Sequence, residues 1–218
     1  MAEKPKAIYD ESKIRRAWFL GLAILMFAGL PGCATVERRL DISKGGVNLH
    51  IPDRAWDPEK ADLEAGWCGE TSIQMALAFY GQEIPQDVIH RAGKPKHSDL
   101  QEADITPALK SLGVKFSRFD MNDGNMGDFI SWIQDHLRRG QPVICGCKIY
   151  PADVPDGDVD HLVLATGYNE KGLLLNTQLN LDGQVLVAHR QLDSRHAGYA
   201  FKNTGHHYWG WAVTGIRK

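Results

Sequence analysis

The chain has 218 residues and a mass of 24.3 kDa, with 43% hydrophobic, 24% charged and 9% aromatic side chains and a formal net charge of −2. That balance excludes a disordered tail, a collagen-like repeat and a multi-pass membrane protein, and it suits one globular domain with a sizeable core. With a pI near 6.5 there is no global basic field to recruit nucleic acid, and no nucleic-acid partner is expected.

The N-terminus departs from these averages. Residues 1 to 16 carry five basic groups (Lys4, Lys6, Lys13, Arg15 and Arg16) against three acids, and an unbroken apolar run follows from Ala17 to Leu30. As a helix that run would rise roughly 21 Å, short of a ~30 Å hydrocarbon core, so it reads as the hydrophobic part of a signal peptide. It ends in Leu30-Pro31-Gly32-Cys33, which resembles a lipobox. By that resemblance Cys33 is acylated and the peptide is cut just before it. The expected organisation is a signal peptide over 1–32, lipidated Cys33 and a polar tether over 33–46, and one domain over 47–218. The domain would then sit in a bacterial cell envelope, membrane-anchored through its lipid.

Along the domain, Val47 to Pro52 alternates briefly and is stopped by proline. A helix is predicted from Cys68 to about Tyr80, with Ile73, Ala76, Leu77 and Tyr80 on one face and Gly81 as its stop. A second follows Pro85, with Val88, Ile89 and Ala92 inward and Gly93 ending it. A third begins near Pro107 and closes at Gly113. Val114 to Phe119 alternates like a strand, and a fourth helix runs from Asp128 to Arg139 with Phe129, Trp132, Ile133, His136 and Leu137 at helical spacing. From residue 141 the period changes to strands at 142–150, 161–168, 172–178, 184–190 and 208–216, separated by Gly, Asp and Asn turns. Helices first and an antiparallel sheet second make an α+β arrangement.

Apart from Cys33, three cysteines remain, Cys68, Cys145 and Cys147, an odd number that makes no disulfide framework. Cys145 and Cys147 sit two apart on one face of a strand and read as core residues. Cys68 opens a helix between Gly66 and Gly69, where unpaired backbone N–H groups and the positive end of the helix dipole favour a thiolate, and glycines let a substrate backbone approach. A thiolate nucleophile needs a base and a group that orients the base. Of nine histidines, His161 stands out, because it follows a turn-like Asp/Gly run and opens the apolar strand Leu162-Val163-Leu164-Ala165. The hairpin through Gly167-Tyr168-Asn169 would return Asn176 toward His161, where it could fix the imidazole tautomer. His206-His207 could suggest a metal, but neighbouring strand residues face opposite ways and no third ligand is spaced to help; no metal or cofactor is expected. Arg138-Arg139 reads as a solvated helix end, and Trp132, Trp209 and Trp211 as core and rim packing.

Cys-Gly at a helix start, Gly140-Gln141-Pro142-Val143 at a strand entry, His161 to Tyr168 as His-apolar-Gly-Tyr, and the closing Trp209-Gly210-Trp211-Ala212-Val213 strand together resemble the papain-like cysteine peptidases of clan CA. The nearest branch is the bacteriocin-processing, family C-thirty-nine-like group, over roughly residues 47 to 216. The resemblance implies a papain-like fold with N-terminal helices packed on a C-terminal antiparallel sheet. It implies Cys68 as nucleophile, His161 as base, Asn176 as its orienting partner, and a peptide or protein substrate. One position departs: the family's oxyanion Gln, about six residues before the nucleophile, is Asp62 here, and residues 53 to 67 hold no Gln or Asn. A carboxylate cannot donate to an oxyanion unless protonated. Trp56 or Trp67 N–H could substitute. The alternatives to hydrolysis are an acyltransferase of the same fold, or a catalytically weak or inactive papain-like binding lipoprotein.

Overall fold

The structure is a computed structural model and describes residues 45–57, 66–122, 124–150, 159–178, 184–192, 198–201 and 207–217. The expected signal peptide, Cys33, most of the tether and Asp62 lie outside the described residues.

Three helices come first: α1 (Cys68–Phe79), α2 (Gln86–Gly93) and α3 (Glu102–Ser111). The α1 face is as expected, with Ile73, Ala76 and Leu77 essentially inaccessible. In α2 the packing is narrower: Ile89 is buried, but Val88 is 37% exposed and not inward. Gly93 is the last residue of α2 rather than its left-handed stop, a conformation taken by Lys94 (φ 52°). It is small because a Cβ there would stand 2.4 Å from Leu100 Cδ2, so close packing of α2 against the following segment selects it. Helix α3 starts five residues earlier than Pro107, at Glu102. Its first turn is fixed by the Asp104 carboxylate, which accepts from Gln101 N–H at 3.1 Å, and Pro107 lies inside the helix. The local signal of a proline at a helix start was misleading, because an acidic cap upstream initiates the helix.

The sheet is built from β1 (Val47–Asn48), β2 (Val114–Met121), β3 (Val143–Tyr150), β4 (Val159–Tyr168), β5 (Gly172–Asn176), β6 (Val185–Ala188), β7 (Gly198–Ala200) and β8 (Tyr208–Ile216). Strands run in the order β2-β8-β3-β4-β5-β6, with β1 on β4 and β7 on β3, and every pairing is antiparallel. A fourth helix, α4 (Met126–Arg138), lies between β2 and β3, and the strand expected over 184–190 ends at Ala188 and gives way to the one-turn helix α5 (His189–Leu192).

Both faces of the sheet are covered. On one, Ile144, Leu162, Leu164, Trp211 and Val213 pack against α1, α2 and α3. On the other, Cys145, Cys147, Val163, Ala165 and Ala212 meet Phe129, Ile133 and Leu137 of α4. Doubly covered strands are therefore apolar on successive residues, which is why β3 and β4 read as near-continuous hydrophobic runs. Cys145 and Cys147 are core residues, 0% and 2% exposed, as the sequence implied, and the described cysteines are all free. Gly146 between them faces the Trp209 indole, and a Cβ would lie 2.1 Å from that ring. Gly146→Ala is expected to cost about 3 kcal/mol by overpacking, read as a lowered urea midpoint at unchanged slope.

Candidate active site

Cys68 is the first residue of α1 and 8% exposed. The residue before it, Trp67, is locked by its carbonyl, which accepts from Thr71 N–H at 2.9 Å and Thr71 Oγ1 at 2.7 Å. Its indole N–H donates to Ser98 O at 2.8 Å. That indole is therefore engaged and is not the free oxyanion donor the sequence allowed. The flanking glycines also serve the fold. Gly66 has φ +62° with the Trp56 ring 3.3 Å from where a Cβ would be, and a Cβ on Gly69 would meet Leu100 O at 2.9 Å.

The sulfur of Cys68 lies against β4, where it faces the backbone N–H of Leu162, the residue after His161. Burial pushes its thiol up to about 12; the nearby carboxylates of Glu70 and Asp99 push the same way, while the Leu162 and Gly69 N–H groups oppose them. His161, 6% exposed, is moved the other way, to about 4, chiefly by burial. Both groups thus rest neutral near pH 7. Because a carbonyl can only accept, the 2.9 Å contact between His161 Nε2 and Thr177 O is a hydrogen bond when Nε2 carries the proton, the tautomer that leaves the lone pair on Nδ1.

Gln178 completes the support. With its amide oriented by the acceptors it faces, the nitrogen is within donating distance of Thr177 O (2.7 Å), Leu162 O (3.1 Å) and His161 Nε2 (3.1 Å), its two hydrogens going to the carbonyls when Nε2 carries a proton, while its oxygen accepts from Ser72 Oγ at 2.9 Å. Ser72 is one turn beyond Cys68 on α1. Gln178 therefore ties the helix that opens with Cys68 to the strand that carries His161.

Asn176 does not take that place. Its amide nitrogen donates to Ile51 O at 3.0 Å and contacts Met75 Sδ at 3.3 Å, and its Oδ1 is buried with no partner among the described residues. The reason is register. The turn pairs Tyr168 with Leu173 and the ladder then pairs Leu164 with Asn176, so Asn176 lies opposite a residue beyond His161, and the residues meeting His161 lie one and two positions further on, at Thr177 and Gln178. Sequence reasoning missed both, because one acts through its backbone and the other sits at φ 60° beyond the strand end.

A folded histidine held neutral gives a pH signature. Below about 6.5 the unfolded chain takes up the proton first, so His161 contributes stability that is full above that pH and lost as pH falls toward 4, roughly 3 kcal/mol in all. The raised carboxyls of Glu70, Asp53 and Asp99 act in the opposite sense over the acid range. The clean observable is therefore the difference between the protein and His161→Asn: the variant's urea midpoint should fall less between pH 7 and pH 5.

Elsewhere, Arg138 Nε donates to the Tyr168 hydroxyl at 2.9 Å, so this helix end is tied to β4 as well as solvated. The ligand atoms of Glu102, Asp120 and His207 lie within 4.8 Å of one another, a grouping the sequence did not foresee, but the Arg118 guanidinium already bridges both carboxylates.

Known proteins share the fold of this chain. The crystal structure of a C39-like peptidase from Bacillus anthracis superposes with a TM-score of 0.55 at 14% identity, covering 79% of this chain and 100% of that one, which shows a shared fold. The peptidase domain of Streptococcus ComA, a bi-functional ABC transporter involved in a quorum-sensing pathway, gives 0.49 at 12% identity over 75% and 98%. Among curated proteins no sequence matches the chain. The Peptidase_C39 like family matches residues 50–180, a span that contains Cys68, His161, Thr177 and Gln178, and the chain belongs to that family.

Proposed function

We propose that this protein is a cysteine peptidase that cleaves a peptide or amide bond through Cys68 and His161, with Thr177 O and Gln178 holding the imidazole. The observation that carries the reading is the 2.9 Å contact of His161 Nε2 with Thr177 O, which suits the Nε2–H tautomer, beside the strand residue whose N–H faces the Cys68 sulfur. In the proposed reaction the thiol proton passes to His161 Nδ1 as Sγ attacks the carbonyl carbon. The imidazolium then protonates the leaving amine as the C–N bond breaks, and water, deprotonated by the same ring, releases the acid and restores the thiol. The backbone N–H at the start of α1 is the available oxyanion donor, and Asp62 supplies none while ionised. With both groups buried and neutral, proton transfer accompanies attack rather than preceding it.

We further propose that the domain is tethered to the cell envelope through acylated Cys33, on the strength of the basic stretch, the 14-residue apolar run and the Leu-Pro-Gly-Cys ending. Among the described residues no helix is long and apolar enough to cross a membrane. Alkyne-palmitate labelling of expressing cells should tag the protein and spare Cys33→Ser; equal labelling would remove the anchor from the reading.

A second reading, a binding scaffold without turnover, is favoured by one observation: a thiol raised to about 12 by burial is a poor nucleophile at rest. Screening a fluorogenic peptide library separates the two. Cleavage that disappears in Cys68→Ala supports the peptidase, and full complementation of a knockout by Cys68→Ala supports the scaffold.

A further inference from the structure

We infer that Glu70 and His90 form a positioning pair for Cys68, a carboxylate–imidazole couple behind the nucleophile that holds Trp67 and governs how readily the thiol ionises. The inference rests on the proposed role of Cys68. Glu70, two residues into the same helix, is 0% exposed. Its Oε1 is shared between His90 Nδ1 at 2.8 Å and the Leu100 N–H at 3.0 Å. Its Oε2 is buried with no partner among the described residues. An acid in a helix's first turn gains from the dipole without being buried, whereas burying a carboxylate costs several kcal/mol, so the dipole does not account for this placement.

His90 links that carboxylate to the nucleophile. Its ring stacks on Trp67 with centroids 5.1 Å apart and planes 11° from parallel, and Trp67 immediately precedes Cys68. The contacts run from Glu70 to His90, from His90 to Trp67, and through the peptide bond to the residue that attacks. The charge matters as well as the contact. An ionised Glu70 opposes a thiolate on Cys68, and an imidazolium at His90 cancels that opposition. The groups facing the pair are Cys68 on α1, His90 on α2, and Asp99 with the Leu100 N–H on the connector to α3; Asp99 is itself faced by His97 and Asp104. Asp99 adds to the negative charge felt by Cys68, and a proton shared within the Glu70–His90 contact offsets it.

The test is the rate of iodoacetamide alkylation at Cys68 against pH, read by peptide mass spectrometry on the full chain so that the other thiols do not interfere. Glu70→Gln keeps the shape and removes the charge, and it should speed alkylation at pH 7 by about five- to tenfold with a lower midpoint. His90→Gln keeps a donor for Glu70 and removes the ring nitrogen that shares a proton with it, and it should slow alkylation by a similar factor. A purely structural pair would loosen the site in both variants and move both rates the same way. Rates that shift in the same direction, or stay within about twofold of the parent, overturn the inference. If Glu70→Gln does not fold by circular dichroism, His90→Gln decides alone: slower alkylation supports the pair, and unchanged or faster alkylation defeats it. Failure of the peptidase reading is a separate result, namely parent alkylation indifferent to His161→Ala.

Discussion

Replacing Cys68 by alanine is expected to lower peptide-cleaving activity by at least about 10³ while the protein still folds. The side chain is small and lies at the edge of the helix-side core, so the substitution removes one sulfur and costs little packing. The reaction loses the atom that forms the acyl intermediate, and the remaining groups cannot supply another. His161→Asn should be nearly as damaging, because Asn can donate to Thr177 O but offers no base at the Nδ1 position. The two losses should not add, since nucleophile and base act as one unit. A double variant no worse than either single one is the expected kinetic pattern, checked by kcat/KM on the best substrate from the peptide library.

The second large effect separates two neighbours on one strand end. Gln178→Leu removes the amide that donates to Thr177 O and Leu162 O and accepts from Ser72, so both the imidazole and α1 lose a shared brace. Misplacing a catalytic group by about 1 Å can cost 10²-fold, and a fall in kcat of that order is expected with little change in KM. Asn176→Ala should behave in the opposite way. It leaves Ile51 O without its Asn176 donor and opens a small cavity beside Met75, costing about 1–3 kcal/mol of stability, with kcat nearly unchanged. If Asn176→Ala abolished turnover while Gln178→Leu did not, the assignment of imidazole support made here would be reversed.

Much of the fold was legible because burial patterns are written in local periods. The α1 face, α4 with Phe129, Ile133 and Leu137, and the apolar β3 and β4 runs follow directly from helical and strand spacing. What escaped depended on distant partners. The α3 start lay with Asp104 rather than Pro107. Gly93 was chosen by Leu100, and β7 is too short to carry a period of its own. The site divided in the same way. Cys68 and His161 announce themselves through a helix start and a strand mouth. The orienting group hinges on a hairpin register set by the turn that pairs Tyr168 with Leu173, and Glu70 reads as an ordinary first-turn acid until its burial is seen.

The most direct test of the central claim is intact-protein mass spectrometry after exposure to a peptidyl chloromethyl ketone, comparing the parent with His161→Ala and Cys68→Ala. The account predicts one adduct, mapped to Cys68, formed at least about tenfold more slowly in His161→Ala and absent in Cys68→Ala. Labelling of Cys68 that is indifferent to His161, or no labelling by any of a set of peptidyl reagents, would contradict it.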